Sequence, residues 1–461
     1  MFISEAEGSE TPLGDFVNKI SFGLFGKTEY KVKVKVTETD TSGLKEWTYM
    51  VLPLKKDMVN GTDKVSDADN LTEEEITKSR LLQYIETLKD SGEYVWQPAN
   101  PSGDLTEIII DRKDTGEDFA ANHYVVLVKP YDNVKNSKIY TSLGIILDNN
   151  EPYVDLGLDY EGGQVYREVY NDDVKLHVSV TDNNHPADKT VSGLREIYYQ
   201  VAVGRENLEK AERVSLYNAE KGKKYTLEEL QNEVLQRNIT ISKKWNSNDI
   251  WVGVTAVDNS GNEYQAFQHL KIDMTKPEVS VKYETKATED YAPYYNRDRT
   301  VLVAVRERNV DVNSIKELWF DLQREGEQKS AQYTLSSMGA IEGITVESVK
   351  DSQEGQNAAQ YTDDRIIEMR IRFHGDNKYD FDVHCADKGD WEEEQDNSTY
   401  FVIDKTAPEL SVAYGNADGT AGVAESEQSR FYSGKPMTAK VEIKEHNFAY
   451  ADKDVPIEVK V

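Results

Sequence analysis

A strict alternation of apolar and polar positions recurs along this chain. It is clearest in four segments, residues 30–36, 174–180, 300–305 and 438–443, which align with one another without gaps. In a strand, successive side chains point to opposite faces, so such alternation predicts a half-buried β-strand with one packed face. Each copy carries an acid two residues after its last apolar position: Glu38, Asp182, Glu307 and Glu445. Two residues further stand Asp40, Asn184, Asn309 and Asn447.

Other segments repeat in the same order. A second strand pattern begins at Ser42-Gly-Leu, Ser192-Gly-Leu and Ser314-Ile-Lys-Glu-Leu. A third pattern, V-x-[PAC]-x-D, ends in Asp132, Asp258 and Asp387, and its second copy runs on as the turn signal Asn259-Ser-Gly-Asn262. A last short strand then leads into D-x-x-x-P at Asp148–Pro152, Asp273–Pro277 and Asp404–Pro408. The prolines are one domain length apart, about 130 residues, so the chain is a string of similar units.

Short alternating strands between turns, in units of this size, predict an all-β fold of tandem immunoglobulin-like Greek-key β-sandwiches. Two segments depart from the period of two. Thr72–Glu75 and Thr226–Glu229 are capping boxes. Apolar residues follow at helical spacing at Leu81, Leu82, Ile85 and Leu88, and at Leu227, Leu230, Val234 and Leu235. These are expected to be short helical insertions between edge strands that decorate the fold. The expected organisation is a tail over 1–16, sandwiches over 17–150, 151–273 and 274–404, and an incomplete fourth unit over 405–461. That last unit holds a linker and first strands only, so its edges are expected to be unpaired.

Composition narrows the function. The chain has 461 residues and a formal net charge of −30, with Asp and Glu spread along it. Nucleic acid, which calls for a basic face, is therefore not an expected partner. A dispersed negative charge suits a soluble, self-repelling, extended molecule. One cysteine, Cys385, leaves the sandwiches to stand on packing without an intrachain disulfide. The N-terminal residues lack a basic region followed by an apolar one, and no stretch approaches the roughly 20 apolar residues of a membrane span. Any export signal or anchor is expected outside this chain.

The residues also resemble a known family. Phe22-Gly-Leu-Phe25, Gly144–Asp148, Tyr294–Arg299, Glu307-Arg-Asn309, Glu445–Phe448 and Ile403–Pro408 resemble the tandem immunoglobulin-like repeats of very large surface proteins of Gram-positive gut bacteria (Firmicutes). The resemblance runs over nearly the whole chain from about Gly14. It implies an exported, wall-attached stalk or adhesin, without one shared ligand.

Chemistry-bearing candidates are few. Gly26-Lys27-Thr28 ends like a phosphate-binding loop, but Ser21 stands where the first glycine belongs and a strand follows where a helix is needed. It is expected to be a turn. Cys385 sits where the other copies have Ala256 and Pro130, so a small buried core residue is expected rather than a thiol nucleophile beside His384, which would point to the opposite face. Tyr198, Tyr199, Tyr291, Tyr294 and Tyr295 fit sandwich edges and domain joints, or platforms on which sugars stack.

The acid and amide positions carry the main chemical expectation. The loop after the second strand, the loop before the last strand and the incoming linker share one pole of such a sandwich. This gathers Asp148, Asp182, Asn184 and Asp258 at the second unit, and Asp273, Glu307, Asn309 and Asp387 at the third. Converging carboxylate and amide oxygens suit calcium; the alternative is that they cap turns and bind the linker backbone. No other cofactor is expected. The functional expectation is a non-enzymatic stalk or adhesion segment, extracellular at a bacterial cell surface or wall. It would space or present a binding region toward a host or matrix protein or glycan, with flanking repeats of the same protein as neighbours. The alternative is a glycan-binding module array beside a carbohydrate-active enzyme.

Overall fold

The structure is a computed structural model that describes residues 2–3, 11–12, 21–36, 42–55, 94–99, 106–113, 119–137, 139–158, 169–184, 190–284, 293–352, 365–388, 392–395, 400–416 and 437–447. The chain divides near Met274 into two compact units. The expected helix after Thr72 lies outside the described residues.

In the first unit, alternation places Val32 and Val34 of strand Glu29–Lys35 on one face, together with Ile108 and Ile110 of strand Thr106–Asp111. They pack on Trp47, Tyr124, Val126, Val128, Ile145 and Leu147 of a seven-stranded sheet. That sheet is built around Phe119–Asp132, which pairs with Leu44–Lys55 on one side and with Tyr140–Thr141 and Gly144–Leu147 on the other. Residues 125–128 and the whole of Gly144–Leu147 are buried on both faces of the sheet, so something other than this sandwich covers the outer one.

Further along the same unit comes a three-plus-four sandwich. Tyr153–Leu158, Val174–Thr181 and Val234–Ile241 form one sheet. Val214–Asn218, Leu194–Val203, Ile250–Asp258 and Glu263–Leu270 form the other. From Val174–Thr181 the chain crosses to the second sheet for Leu194–Val203 and Val214–Asn218, returns to the first for Val234–Ile241, and crosses again to Ile250–Asp258, which is the Greek-key crossing. Its core joins Leu176, Val178, Val180 and Ile239 to Ile197, Val252, Val254 and Ala256.

The second unit repeats the plan. Glu278–Tyr283, Arg299–Arg306, Ile366–Phe373 and Ile344–Asp351 lie in one sheet. Tyr294–Tyr295, Phe401–Ile403, Asn377–Ala386, Leu318–Arg324 and Ala331–Tyr333 lie in the other. Its core is aromatic, with Phe320, Phe373, Tyr379, Phe381 and Phe401 nearly inaccessible. The chain is therefore all-β, a series of immunoglobulin-like sandwiches.

Register is repeated as well as sheet order. Val180 and Val305 are both fully buried on strands flanked by a neighbour on each side. Val36 is buried, and Ile443 is half-buried opposite Leu410. A short parallel pairing closes each sandwich: Phe22–Gly26 with Gly144–Leu147, Tyr170 with Ile272, and Tyr294–Tyr295 with Phe401–Ile403. Beyond it, Glu409–Asn416 and Met437–Lys444 form a two-stranded ladder on which Leu410, Val412, Tyr414 and Val441 are exposed.

Two sequence expectations need correction. Gly43 and Gly193 adopt left-handed φ values of +79° and +81°, which turn the chain into the second strand. The third copy has Ile315 in place of that glycine. It instead makes helical-type turns over 311–317, where the Glu317 and Leu318 amides donate to the Ser314 carbonyl, and its strand starts only at Leu318. The other correction concerns the Thr226 capping box. It is fully formed, but its helix α1 (Leu227–Gln231) stops before Val234 and Leu235, which pair as strand with Thr181 and Val180.

Helix α1 is also more than decoration. Leu227 and Leu230 join Phe22, Met50, Leu52, Leu54, Val125, Leu127 and Ile146 in one buried cluster, with Val191 and Tyr225. This is the cover over the outer face of the first, seven-stranded sheet. Beside it, Phe22 and Tyr225 exchange both backbone hydrogen bonds, at 2.7 and 2.8 Å. An analogous capping box at Thr334, unnoticed in the sequence, opens helix α2 (Leu335–Met338).

Candidate metal centre

Asp148 lies where the first sandwich hands the chain to the second. Its amide donates to the Gly26 carbonyl at 2.8 Å, continuing the closing parallel pair of the first. Its carboxylate faces the other way and accepts from the Ser192 amide at 2.9 Å and the Asn150 amide at 3.0 Å. One residue thus binds the backbone of both sandwiches.

Two more carboxylates arrive from the second sandwich. Asp182 follows strand Val174–Thr181, and its Oδ2 accepts from Ser192 at 2.9 Å and Gly193 at 2.6 Å. Asp258 ends strand Ile250–Asp258 and opens a tight turn, in which Asn262 donates its amide to Oδ1 and its Nδ2 to Oδ2, both at 2.7 Å. Asn262 Nδ2 also reaches the Asp148 carbonyl at 2.9 Å. The acids are at most 1% exposed, and one carboxylate oxygen from each lies within 4.8 Å of the others.

Electrostatics make this arrangement costly. Two full charges at such a distance repel by on the order of 3 kcal/mol even at an effective dielectric constant of about 20. The donors that reach Asp182 and Asp258 are amides, which solvate charge without neutralising it. Burial, then the charges of Asp148 and Asp258, push Asp182 up to about 8. Burial also pushes Asp258 up to about 6, opposed by its Asn262 hydrogen bond and reinforced by Asp148. Among the described residues, Asp182 Oδ1 is buried with no hydrogen-bond donor.

Asp132 is an internal control. It occupies the same motif position in the first sandwich and makes the same turn, with Asn136 donating its amide at 2.7 Å and its Nδ2 at 2.8 Å. Ser42 and Val134 supply further donors. Burial alone would raise this carboxyl, but the hydrogen bonds from Asn136, Ser42 and Val134 hold it below the usual value. Turn capping is thus common to Asp132 and Asp258; burial beside Asp148 and Asp182 belongs to Asp258.

The remaining candidates fall out as follows. Asn184 is exposed and makes none of these contacts. Asn262 takes the amide role instead, and the turn signal Asn259-Ser-Gly-Asn262 was the sequence trace of it. The third-repeat set divides between the compact units. Asp273 ends the first, its amide donating to the Tyr170 carbonyl at 2.8 Å. In the second, Glu307 Oε1 accepts from the Asn309 amide at 2.6 Å, and the Asn309 carbonyl accepts from Lys388 at 3.3 Å. This brings buried Glu307 and Asp387 within 4.8 Å of one another.

Cys385 is buried on strand Asn377–Ala386, opposite Leu318. Burial, then Glu307, Asp387 and Glu317, raise its thiol far above the ordinary range, which suits packing rather than nucleophilic attack. Tyr295 is buried too, where the Arg299 guanidinium lies 3.8 to 4.6 Å from the rings of Tyr283, Tyr295 and Phe401. Tyr291 lies outside the described residues. Residues 27–28 form the turn between Phe22–Gly26 and Glu29–Lys35.

No family model and no curated protein matches the chain. Solved structures do show likeness. A tetra-tandem repeat in the extending region of a large adhesion protein is 10% identical, over 84% of this chain and 74% of that one, at a TM-score of 0.30. A 1.5-MDa bacterial ice-binding adhesin is 11% identical, over 80% of this chain and 88% of that one, at 0.25. The D1–D4 ectodomain fragment of ICAM-5 is 8% identical, over 91% and 96%, at 0.28.

Proposed function

We propose that this chain is a non-enzymatic spacer segment of a bacterial surface adhesin, which holds a binding region away from the cell. The observation that carries it is the joint between the first two sandwiches. There a buried apolar cluster, a two-way backbone bridge at Phe22 and Tyr225, and the two-sided contacts of Asp148 replace a free linker. Serial sandwiches joined in this way resist bending, which a spacer needs and a set of independent modules does not. The proline of each D-x-x-x-P linker adds to this, since proline fixes its own φ and restricts the preceding residue.

In this reading the units are sandwiches at about 17–150, 151–273 and 274–404, and the ladder beyond Glu409 belongs to a fourth. The exposed row of Leu410, Val412, Tyr414 and Val441 supports it as an inner face of the same kind. Origin in a Gram-positive gut bacterium rests on the motif resemblance. Among the described residues, no helix is long and apolar enough to cross a membrane.

Small-angle X-ray scattering of the full chain tests the spacer reading. A compact globule of this length has a radius of gyration of about 23 Å. Sandwiches placed end to end, with strands of about eight residues each, give a value above about 30 Å. A measurement near the compact value removes the proposal.

A further inference from the structure

The first joint buries three carboxylates, and among the described residues Asp182 Oδ1 has no hydrogen-bond donor there. We propose that Asp148, Asp182 and Asp258 form a calcium site that fastens the first sandwich to the second. The site stands on the geometry of the joint and not on the spacer reading; if both hold, the ion stiffens the spacer.

Three observations carry it. The carboxylates come from three separate segments and converge within 4.8 Å while at most 1% exposed. Turn capping accounts for both oxygens of Asp258 and for Oδ2 of Asp182, but not for Oδ1 of Asp182, which is buried without a donor among the described residues. An oxygen in that state gains most from a cation. Lastly, Asp132 makes the same turn without full burial, so turn capping alone does not require a buried carboxylate.

The donor set selects the ion. It is all oxygen, without histidine or cysteine, which suits hard cations over zinc or copper. A buried site leaves little room for the several waters that magnesium retains, whereas calcium accepts irregular carboxylate sets. Asp148 belongs to the linker of the first sandwich, while Asp182 and Asp258 belong to the second. An ion held by all of them therefore binds the joined state in preference to the separated one.

Asp182→Asn gives the test. The new amide replaces the bare Oδ1 with a donor beside two carboxylates, so the variant folds and loses the repulsion. Calcium binding to the full chain is followed by titration calorimetry, and melting is compared in millimolar CaCl2, MgCl2 and EGTA. The proposal expects calcium to raise the first unit's melting temperature by about 5 °C or more. It expects Asp182→Asn to bind one equivalent less, to lose that shift, and to melt no lower than wild type in EGTA. Asp258→Asn, which keeps an acceptor for Asn262, should lose the same equivalent. Wild type that takes up no calcium at millimolar concentration overturns the site. So does an Asp182→Asn chain with undiminished stoichiometry and affinity, or an equal response to magnesium.

Discussion

Gly193 shows how much one residue can be asked to do. Its φ of +81° belongs to the left-handed region, where an L side chain is strained. Its amide donates to Asp182, its carbonyl accepts from Asn259, and an added Cβ would come within 2.5 Å of Leu230. Gly193→Ala therefore combines backbone strain with overpacking of α1, and should cost about 2–4 kcal/mol in urea unfolding of the full chain. A change below about 0.5 kcal/mol would mean that the turn relaxes freely. The requirement was partly legible, because Ser-Gly-Leu recurs at residues 42 and 192. That the side opposite Gly193 is filled by a helix was not legible, since Leu230 is far along the chain.

At the scale of elements, α1 decides whether the first two sandwiches behave as one. A five-residue helix has no stability of its own; its capping box only aims Leu227 and Leu230 at the outer face of the first sheet. Leu230→Ala leaves the cap intact and opens a cavity in the joint. The expected loss is about 2–5 kcal/mol, together with faster proteolysis within Asp148–Pro152. Equal cleavage rates in variant and wild type would show that α1 does not hold the joint. The ladder of Glu409–Asn416 with Met437–Lys444 is the opposite case, paired along its backbone but with its apolar row exposed. A two-stranded ribbon is at best marginal in water, so its amides should exchange with deuterium much faster than those of Asn377–Ala386. Equal protection would mean that other residues cover it.

For the whole molecule, the charge of −30 and the division near Met274 matter most. Internal contacts gather into two compact units rather than one per repeat, because the first joint buries a cluster shared by both sandwiches. Scanning calorimetry of the full chain should therefore resolve two main transitions, the first unit melting as one body. Separate melting of residues 17–150 and 151–273 would contradict the shared cluster. Strand positions, the repeat and the sandwich class were set by the sequence itself. Alternation fixes which side of a strand is buried, and a slip of one residue would turn Val32, Val178 or Val303 outward. The acids at the pole were legible for the same reason, as they sit at fixed offsets from those strands. Only tertiary structure decided which of them meet. Asp148 and Asp258 are brought together because Asn262 reaches across 114 positions to the Asp148 carbonyl, while Asn184, two residues from Asp182, faces solvent. Local pattern encodes the face of each element, whereas the joint depends on how two finished sandwiches pack, and no short-range period records that.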